Sequence, residues 1–262
     1  MPEVPRFAAN LSFLFQELRF LDRFAAARAA GFEGVEFLFP YDFPAAEIRR
    51  RLEGEGLTMC LFNVPPGNWE AGERGMACLP DRRAEFREGL KRALDYAGEL
   101  GCQRLHVMAG LAPADAPRDR LFATMAANLD HAADACAPMG IKPLVEPINR
   151  GDIPGYFLHR YEDAIALIEA LGPERVGLQH DLYHAQIIEG DVTRLTERVL
   201  PYATHMQIAD TPGRNEPGTG EVNWDFVLRR IDALGYRGWI GCEYRPRGGT
   251  LESLGWLAPY RN

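Results

Sequence analysis

Short apolar segments alternate with longer amphipathic segments along the whole chain. The apolar runs have the length and the aliphatic content of buried strands, and the segments between them have helical length. The regular alternation indicates consecutive βα units, in which parallel strands are joined by helices. Eight strands are predicted, at 7–11, 35–39, 57–63, 104–108, 142–146, 176–181, 203–207 and 239–243.

Helix periodicity is clear between these strands. In the first helix, Leu18, Leu21 and Phe24 recur at a spacing of three, Ala25 extends the same face, and Gly31 is predicted to close the helix. Pro44 is predicted to open the second helix, at a position where a missing N–H is tolerated. Further helices are predicted at 81–100, 119–137, 161–171, 192–200 and 224–234.

A closed (β/α)8 barrel, the TIM barrel, accounts for this α/β pattern. A doubly wound open sheet also alternates strands and helices, but it normally carries a glycine-rich turn after its first strand. Residues 10–15, Asn-Leu-Ser-Phe-Leu-Phe, contain no glycine. The length of 262 residues is typical of one such barrel. We therefore expect residues 1–262 to form a single barrel domain.

Composition and charge restrict the class of protein. Hydrophobic residues make up 47% and charged residues 25%, as in ordinary globular enzymes, and no apolar run approaches the ~20 residues of a membrane span. The first six residues do not resemble a signal peptide, so a cytoplasmic location is expected. The net charge of −8 disfavours a nucleic-acid partner. Five cysteines without a CxxC pair argue against disulfides, and Cys60 and Cys242 are predicted to be small core residues.

Four predicted strands end on polar residues with oxygen ligands. These are Glu146, Asp181, Gln207 and Glu243. Because parallel barrel strands all point the same way, their C-terminal ends converge on one mouth, where the active sites of such barrels lie. Two glutamates, an aspartate and a glutamine meeting there predict a site for a hard divalent cation, with Mg²⁺, Mn²⁺ and Co²⁺ all compatible.

The two glutamates also predict a reaction. Glu146 and Glu243 lie on opposite sides of the expected mouth, and a metal between them would hold the oxygens of an α-hydroxycarbonyl and stabilise its enediolate. One glutamate can then remove a proton and the other can return it to the adjacent carbon, which is a 1,2-isomerisation. A single strand-terminal glutamate is more often a solvated rim residue, but four polar residues on successive strand ends favour a site.

Several other residues are candidates for substrate binding. His184 lies one turn after Asp181, whereas His180 is predicted to pack on the other side of its strand. His205 lies two residues before Gln207 on the same face, beneath it. The long segment 64–79 is predicted to form a lid. The predicted substrate contacts are His184, Arg214, His106, Asn10 and, from the lid, Trp69.

Strings of residues from the first strand to the last resemble the hydroxypyruvate isomerase family, within the xylose-isomerase-like barrels. They include Arg6-Phe-Ala-Ala-Asn-Leu-Ser12, Gly34-Val-Glu-Phe-Leu-Phe-Pro40, His106-Val-Met-Ala-Gly110, His205-Met-Gln-Ile-Ala209 and Gly238-Trp-Ile-Gly-Cys-Glu-Tyr244.

The resemblance implies a magnesium or manganese ion held by Glu146, Asp181, Gln207 and Glu243, with Glu146 and Glu243 as the acid/base pair. It also implies that Arg214 binds the substrate carboxylate. The implied reaction is hydroxypyruvate to tartronate semialdehyde, in glyoxylate and carbohydrate metabolism, on a small anionic hydroxy-oxo acid. Related ketose 3-epimerases place histidine where Gln207 stands.

Other functions stay open at this point. A sister group acts on four-carbon 2-oxo-tetronates, and nothing in the strands separates it from the three-carbon isomerases. An endonuclease-type phosphodiesterase on the same barrel would need a histidine-rich multi-metal site, and this chain has six histidines and an acidic balance. A binding barrel without activity would not need two opposed glutamates. A homo-oligomer is compatible with the sequence, which does not indicate the number of subunits.

Overall fold

Eight parallel strands follow one another in chain order around a closed barrel, so the predicted fold class is confirmed. The computed structural model describes residues 5–260. The strands are β1 (Arg6–Asn10), β2 (Gly34–Glu36), β3 (Thr58–Asn63), β4 (Arg104–His106), β5 (Lys142–Val145), β6 (Gly177–Asp181), β7 (Ala203–Ile208) and β8 (Trp239–Cys242).

Within residues 5–260, eight α-helices lie between these strands. They are α1 (Arg23–Ala29), α2 (Ala45–Glu55), α3 (Arg83–Leu100), α4 (Arg118–Cys136), α5 (Tyr161–Leu171), α6 (Leu182–Ile188), α7 (Val192–Val199) and α8 (Trp224–Ala233). Short 3₁₀ segments precede α1 and α3, follow α4 and form the last described part, Glu252–Tyr260. None of the helices between residues 5 and 260 is long and apolar enough to cross a membrane.

The chain forms two compact units, of which the first comprises Met1–Cys60 and His180–Asn262. In it β1 pairs in parallel with β2 and β8, and β7 pairs with β8. The register places Asn10 opposite Glu36 and places Gln207 opposite Gly241. These polar residues are almost fully buried, because their strands run through the core of the unit.

The second unit is Leu61–Gln179, in which β4 pairs in parallel with β3 and β5. Its α3 and α4 bury apolar faces that recur every three or four residues, such as Phe86, Leu90, Ala93 and Ala97 on α3. Gly101 then ends α3 at a φ of 64°, in the left-handed conformation that favours glycine.

The long segment 64–79 of the second unit is ordered by its own contacts. The Glu73 carboxylate accepts hydrogen bonds from Arg82, at 2.6 Å and 3.1 Å, and from the Asn68 backbone N–H. Gly75 forms a bridge to Ala109, just beyond β4, and its φ is 109°. A Cβ there would overlap the Met108 carbonyl, so the close approach of the two backbones requires glycine.

Several element boundaries differ from those predicted. β2 ends at Glu36, not at residue 39, and both Glu146 and Glu243 lie one residue past their strands. Pro44 is the residue before α2 and not its first helical residue. The helix α6 was not predicted, since its apolar residues continue directly from β6 without a break. The assignment of one domain over residues 1–262 stays a prediction.

Candidate active site

Asp181, at the end of β6, positions the helix that follows it. Its carboxylate accepts a 2.9 Å hydrogen bond from the Tyr183 backbone N–H and so caps the N-terminus of α6. The helix carries His184, whose Nε2 lies 3.6 Å from Asp181 Oδ2. Both side chains are buried. The two residues of the predicted Asp-x-x-His pair, Asp181 and His184, therefore lie close together, because α6 follows β6 directly.

Arg214 connects Asp181 with Glu243. Its guanidinium donates to Glu243 Oε2 in a very short hydrogen bond and lies 3.5 Å from Asp181 Oδ2. The guanidinium is held between the rings of Phe13 and Tyr183, at 5.1 Å and 4.8 Å. Two buried carboxylates thus lie around one cationic group, which shows that this part of the first unit is built to hold positive charge.

The electrostatics of Glu243 are unusual for a glutamate. Its pKa is raised to about 8, mainly because the carboxyl is buried; Arg214 opposes this rise, and the nearby Asp181 and Glu36 carboxylates contribute to it. A carboxyl group with such a pKa can carry a proton near neutral pH. Carboxyl groups with strongly raised pKa values are typical of general acids and bases.

Beneath these groups lies a buried cluster around Glu36. Its Oε2 accepts a 2.6 Å hydrogen bond from His205 Nε2, and its Oε1 accepts one of 2.7 Å from Gln207 Nε2. The amide of Asn10 donates to the same Oε1 at 2.9 Å and to Glu243 Oε1 at 3.1 Å. Glu36 is a residue that the sequence analysis did not select.

In the second unit, Glu146 lies beside His106. The distance from Glu146 Oε2 to His106 Nε2 is 3.6 Å, and both side chains are almost completely buried. Burial lowers the pKa of His106 to about 3, so its imidazole is neutral at physiological pH. The neighbour of the Glu146 carboxylate is therefore a polar uncharged ring and not a cation.

The donor chemistry of the predicted ligands suits a divalent cation. In the first unit, Asp181 supplies a buried carboxylate, and the buried His184 imidazole lies 3.6 Å from it. In the second unit, Glu146 supplies a further buried carboxylate. Carboxylates and imidazoles bind cations such as Mn²⁺. These donors therefore fit the metal that the resemblance implies.

The structure thus gives positions for the predicted site residues. His184 lies with Asp181, and Arg214 lies with Asp181 and Glu243. Glu146 lies with His106. Gln207 is buried with its amide nitrogen on Glu36. Both donor contacts of Asn10 go to carboxylates, so a contact between Asn10 and substrate stays a prediction. Trp69 lies under the guanidinium of Arg74, at 3.8 Å, and its contact with substrate also stays a prediction.

A buried charge within an apolar strand is the signal that could have identified Glu36. The run Gly34-Val-Glu-Phe-Leu-Phe39 contains one charged residue, and Glu36 is 1% exposed in the structure. A glutamate is almost never fully buried unless it is paired. The sequence gives no indication of its partners, which come from β1 and from the distant β7.

Comparison with known proteins assigns the chain to a family. The family model described as "Xylose isomerase-like TIM barrel" matches residues 24–260. A 2-oxo-tetronate isomerase of Cupriavidus necator is 55% identical over 257 residues, covering 98% of this chain and 99% of that protein. The hydroxypyruvate isomerase of Escherichia coli is 44% identical over 256 residues, with 98% and 99% coverage.

One solved structure is similar over nearly its whole length. The crystal structure titled AP endonuclease, family 2, from Brucella melitensis has a TM-score of 0.96 and 50% identity, covering 98% of this chain and all of that one. Sequence, fold and relatives agree at the level of the family. The chain belongs to the xylose isomerase-like TIM barrel family.

Proposed function

We propose that this protein is a metal-dependent isomerase of small 3-hydroxy-2-oxo acids. The observation that carries the proposal is the buried pair of Asp181 and His184, 3.6 Å apart, whose carboxylate and imidazole could bind a divalent cation. The second glutamate, Glu243, lies beside Asp181 through Arg214 and has a raised pKa. The relatives named as isomerases support the same reaction class.

The residues that would hold the metal are Glu146, Asp181, Gln207 and Glu243, with His184 beside them. When bound, a divalent cation supplies positive charge that stabilises the developing enediolate. Burial of the carboxylates excludes water from the site, and this strengthens each electrostatic interaction there. His106 is neutral, so it is suited to donate or accept a hydrogen bond without changing the charge of the site.

The two glutamates would transfer the proton. One removes the hydrogen of C3 from the 3-hydroxy-2-oxo acid and the other delivers a proton to C2, while the hydroxyl proton passes from O3 to O2, which gives the 2-hydroxy-3-oxo acid. Hydrogen bonds from Arg214 and Asn10 hold the Glu243 carboxylate in place for this transfer. Arg214 would bind the substrate carboxylate, for which the planar guanidinium is well matched.

For the substrate we propose a four-carbon 2-oxo-tetronate, with hydroxypyruvate as the second candidate. The two acids differ by one hydroxymethyl group on C3. The relative at 55% identity is named for the four-carbon acid and the one at 44% for the three-carbon acid, which favours the former.

An endonuclease activity is less well supported, although one relative carries that title. Such enzymes use a histidine-rich site with several metals, whereas the proposed ligands here are three carboxylates and an amide, with one histidine, His184, beside Asp181. The net charge of −8 also disfavours the approach of a nucleic acid. Cleavage of DNA with an abasic site by the metal-loaded protein would support this second function.

The test combines turnover with metal binding. The wild-type protein, E146Q and E243Q are stripped with a chelator, reloaded with Mn²⁺ and assayed on both 2-oxo-tetronate enantiomers and on hydroxypyruvate. Each glutamine keeps an oxygen near the metal but cannot accept the substrate proton. We expect turnover of each variant to fall by about 10²- to 10⁴-fold with little loss of Mn²⁺. Near-normal turnover of both variants with metal bound would exclude the two-glutamate mechanism.

A further inference from the structure

The carboxylate of Glu36 accepts three hydrogen bonds inside the first unit. Two come to Oε1, from Gln207 and Asn10, and one comes to Oε2, from His205. The donors arrive from β1 and β7, and all four side chains are at most 1% exposed. With both oxygens engaged by N–H groups, Glu36 is arranged to act on its neighbours and not as a metal ligand itself.

The space for this carboxylate is built into the neighbouring strand. Gly241 of β8 lies opposite Gln207 in the register, and a Cβ at Gly241 would overlap the Glu36 carboxyl group. The φ of Gly241 is not among the positive values, so its backbone conformation does not require glycine. The absence of a side chain at 241 therefore serves the close approach of Glu36.

We propose that Glu36 is a positioning residue that sets the orientation of the Gln207 amide for metal binding. A carboxylate accepts hydrogen bonds and repels a carbonyl oxygen, so the Gln207 group that faces Glu36 must be its NH₂. The amide carbonyl oxygen then faces away from Glu36, as a metal ligand requires. This inference rests on the proposed function, in which Gln207 is a ligand.

The same carboxylate also acts on Glu243 through Asn10. The Asn10 amide donates one hydrogen to Glu36 and the other to Glu243 Oε1, and its carbonyl accepts from the Ser12 backbone N–H. These three contacts fix the flip state of the Asn10 amide. Glu36 therefore orients two side-chain amides. One is that of Gln207, a proposed metal ligand, and the other is that of Asn10, which donates to Glu243, a proposed acid/base.

The decisive experiment measures Mn²⁺ affinity by titration calorimetry in E36L, E36Q and the wild type. Partners that orient metal ligands typically contribute 10- to 100-fold in affinity. We expect a loss of this order in E36L, which offers no acceptor to Gln207. E36Q should stay within a few-fold of wild type, because its amide oxygen accepts from Gln207 and Asn10. The His205 proton can then move to Nδ1, which has no hydrogen-bond partner in the structure.

A double-mutant cycle distinguishes positioning from general destabilisation. In the background of Q207A, the E36L substitution should lower Mn²⁺ affinity much less than it does in the wild-type background, because only the weaker route through Asn10 to Glu243 is left. A full and additive loss in that background would overturn the proposal. Y236F is the matched control: it removes the partly buried hydrogen bond from Tyr236 to the Trp239 carbonyl, in the same unit, and should leave Mn²⁺ affinity unchanged.

A second pair of variants covers the case in which E36L does not fold. Q207E alone would place two carboxylates 2.7 Å apart and should lower the melting temperature. The double variant E36Q/Q207E pairs an amide NH₂ with a carboxylate at the cost of the Asn10 contact to residue 36, so it should recover part of the loss; no recovery at all would contradict the proposed pairing. If the wild type binds no Mn²⁺, the proposed function itself fails. Wild-type binding together with unchanged affinity in E36L would overturn the role of Glu36 alone.

Discussion

At the scale of single residues, Arg214 makes two kinds of contact, one with aromatic rings and one with carboxylates. The planar guanidinium lies between two aromatic rings and contacts two carboxylates, a combination that lysine cannot reproduce. Its side chain is 11% exposed, so the ion pair is screened little by water. The residue therefore acts as an internal counterion for Asp181 and Glu243, in addition to its proposed contact with substrate.

Replacement of Arg214 should separate these two roles. In R214M we expect kcat/KM to fall about 10- to 100-fold, as for the loss of a charged hydrogen bond. The rise in melting temperature on addition of Mn²⁺ should be larger than in wild type, because Asp181 and Glu243 have lost their counterion.

The control for this variant is R245M. Arg245 also lies over Phe13, at 6.0 Å, but it is exposed. This variant should behave as wild type in both measurements. An R214M protein with a smaller Mn²⁺ effect than wild type would contradict the counterion role.

How much of the site could be predicted depends on the residue. Four residues could be predicted at strand ends from their position in the sequence, because each ends an apolar run: Glu146, Asp181, Gln207 and Glu243. For Glu36 the signal was limited to a charge within an apolar run, because the partners that give it its importance are distant in sequence. His205 is intermediate, since its alternation with Gln207 was visible but its bond to Glu36 was not.

At the scale of elements, the segment 64–79 depends on one close approach. Gly75 has a φ of 109° and lies against the Met108 carbonyl, whereas Gly72 has a φ of 93° and open space around it. Both glycines therefore have a positive φ, but only Gly75 has a neighbouring backbone in the space that a Cβ would occupy. This difference makes them a matched pair for mutation.

The substitution G75A should release this segment from the end of β4. We expect faster hydrogen exchange for residues 66–79 than in G72A, which carries only the conformational cost of about 1–2 kcal/mol. Hydrogen exchange followed by mass spectrometry measures both variants against wild type. Equal protection in the two variants would show that the contact with Met108 is unimportant.

The elements themselves were largely predictable from periodicity. The helix α5 was predicted at its observed bounds, since Leu171 is followed by Gly-Pro, which interrupts the helical pattern. The helix α6 was missed because Asp181 ends a strand and caps a helix at once, leaving no loop between them. The pattern of apolar residues does not reveal a strand that passes directly into a helix, because the hydrogen bond that caps the helix forms only once the strand is in place.

At the scale of the whole molecule, burial in the core determines how reactive the cysteine thiols are. All five cysteines are buried. Burial raises the pKa of Cys78 and of Cys136 to about 12. At pH 8 about one in ten thousand of such thiols is ionised, and the thiolate is the reactive form. The core therefore protects the thiols both sterically and chemically.

Two measurements follow from these thiols. Ellman's reagent at pH 8 should label none of the five promptly in native protein and all five in guanidinium chloride. Because the folded pKa lies above the unfolded value of about 8.5, stability is fully present below pH 8.5 and lost above it, by up to about 1.4 kcal/mol per pH unit and thiol. Prompt labelling of the native protein, or no decline of unfolding free energy between pH 8.5 and 10, would contradict this account.

The bridge that Arg214 makes between Asp181 and Glu243 also bears on the order of events in synthesis. Buried carboxylates without a counterion would oppose closure of the site until an ion arrived. With the guanidinium already between them, a newly made chain can complete its fold first and acquire its metal afterwards. Maturation would then depend on the supply of the ion and not on the survival of an unfolded chain.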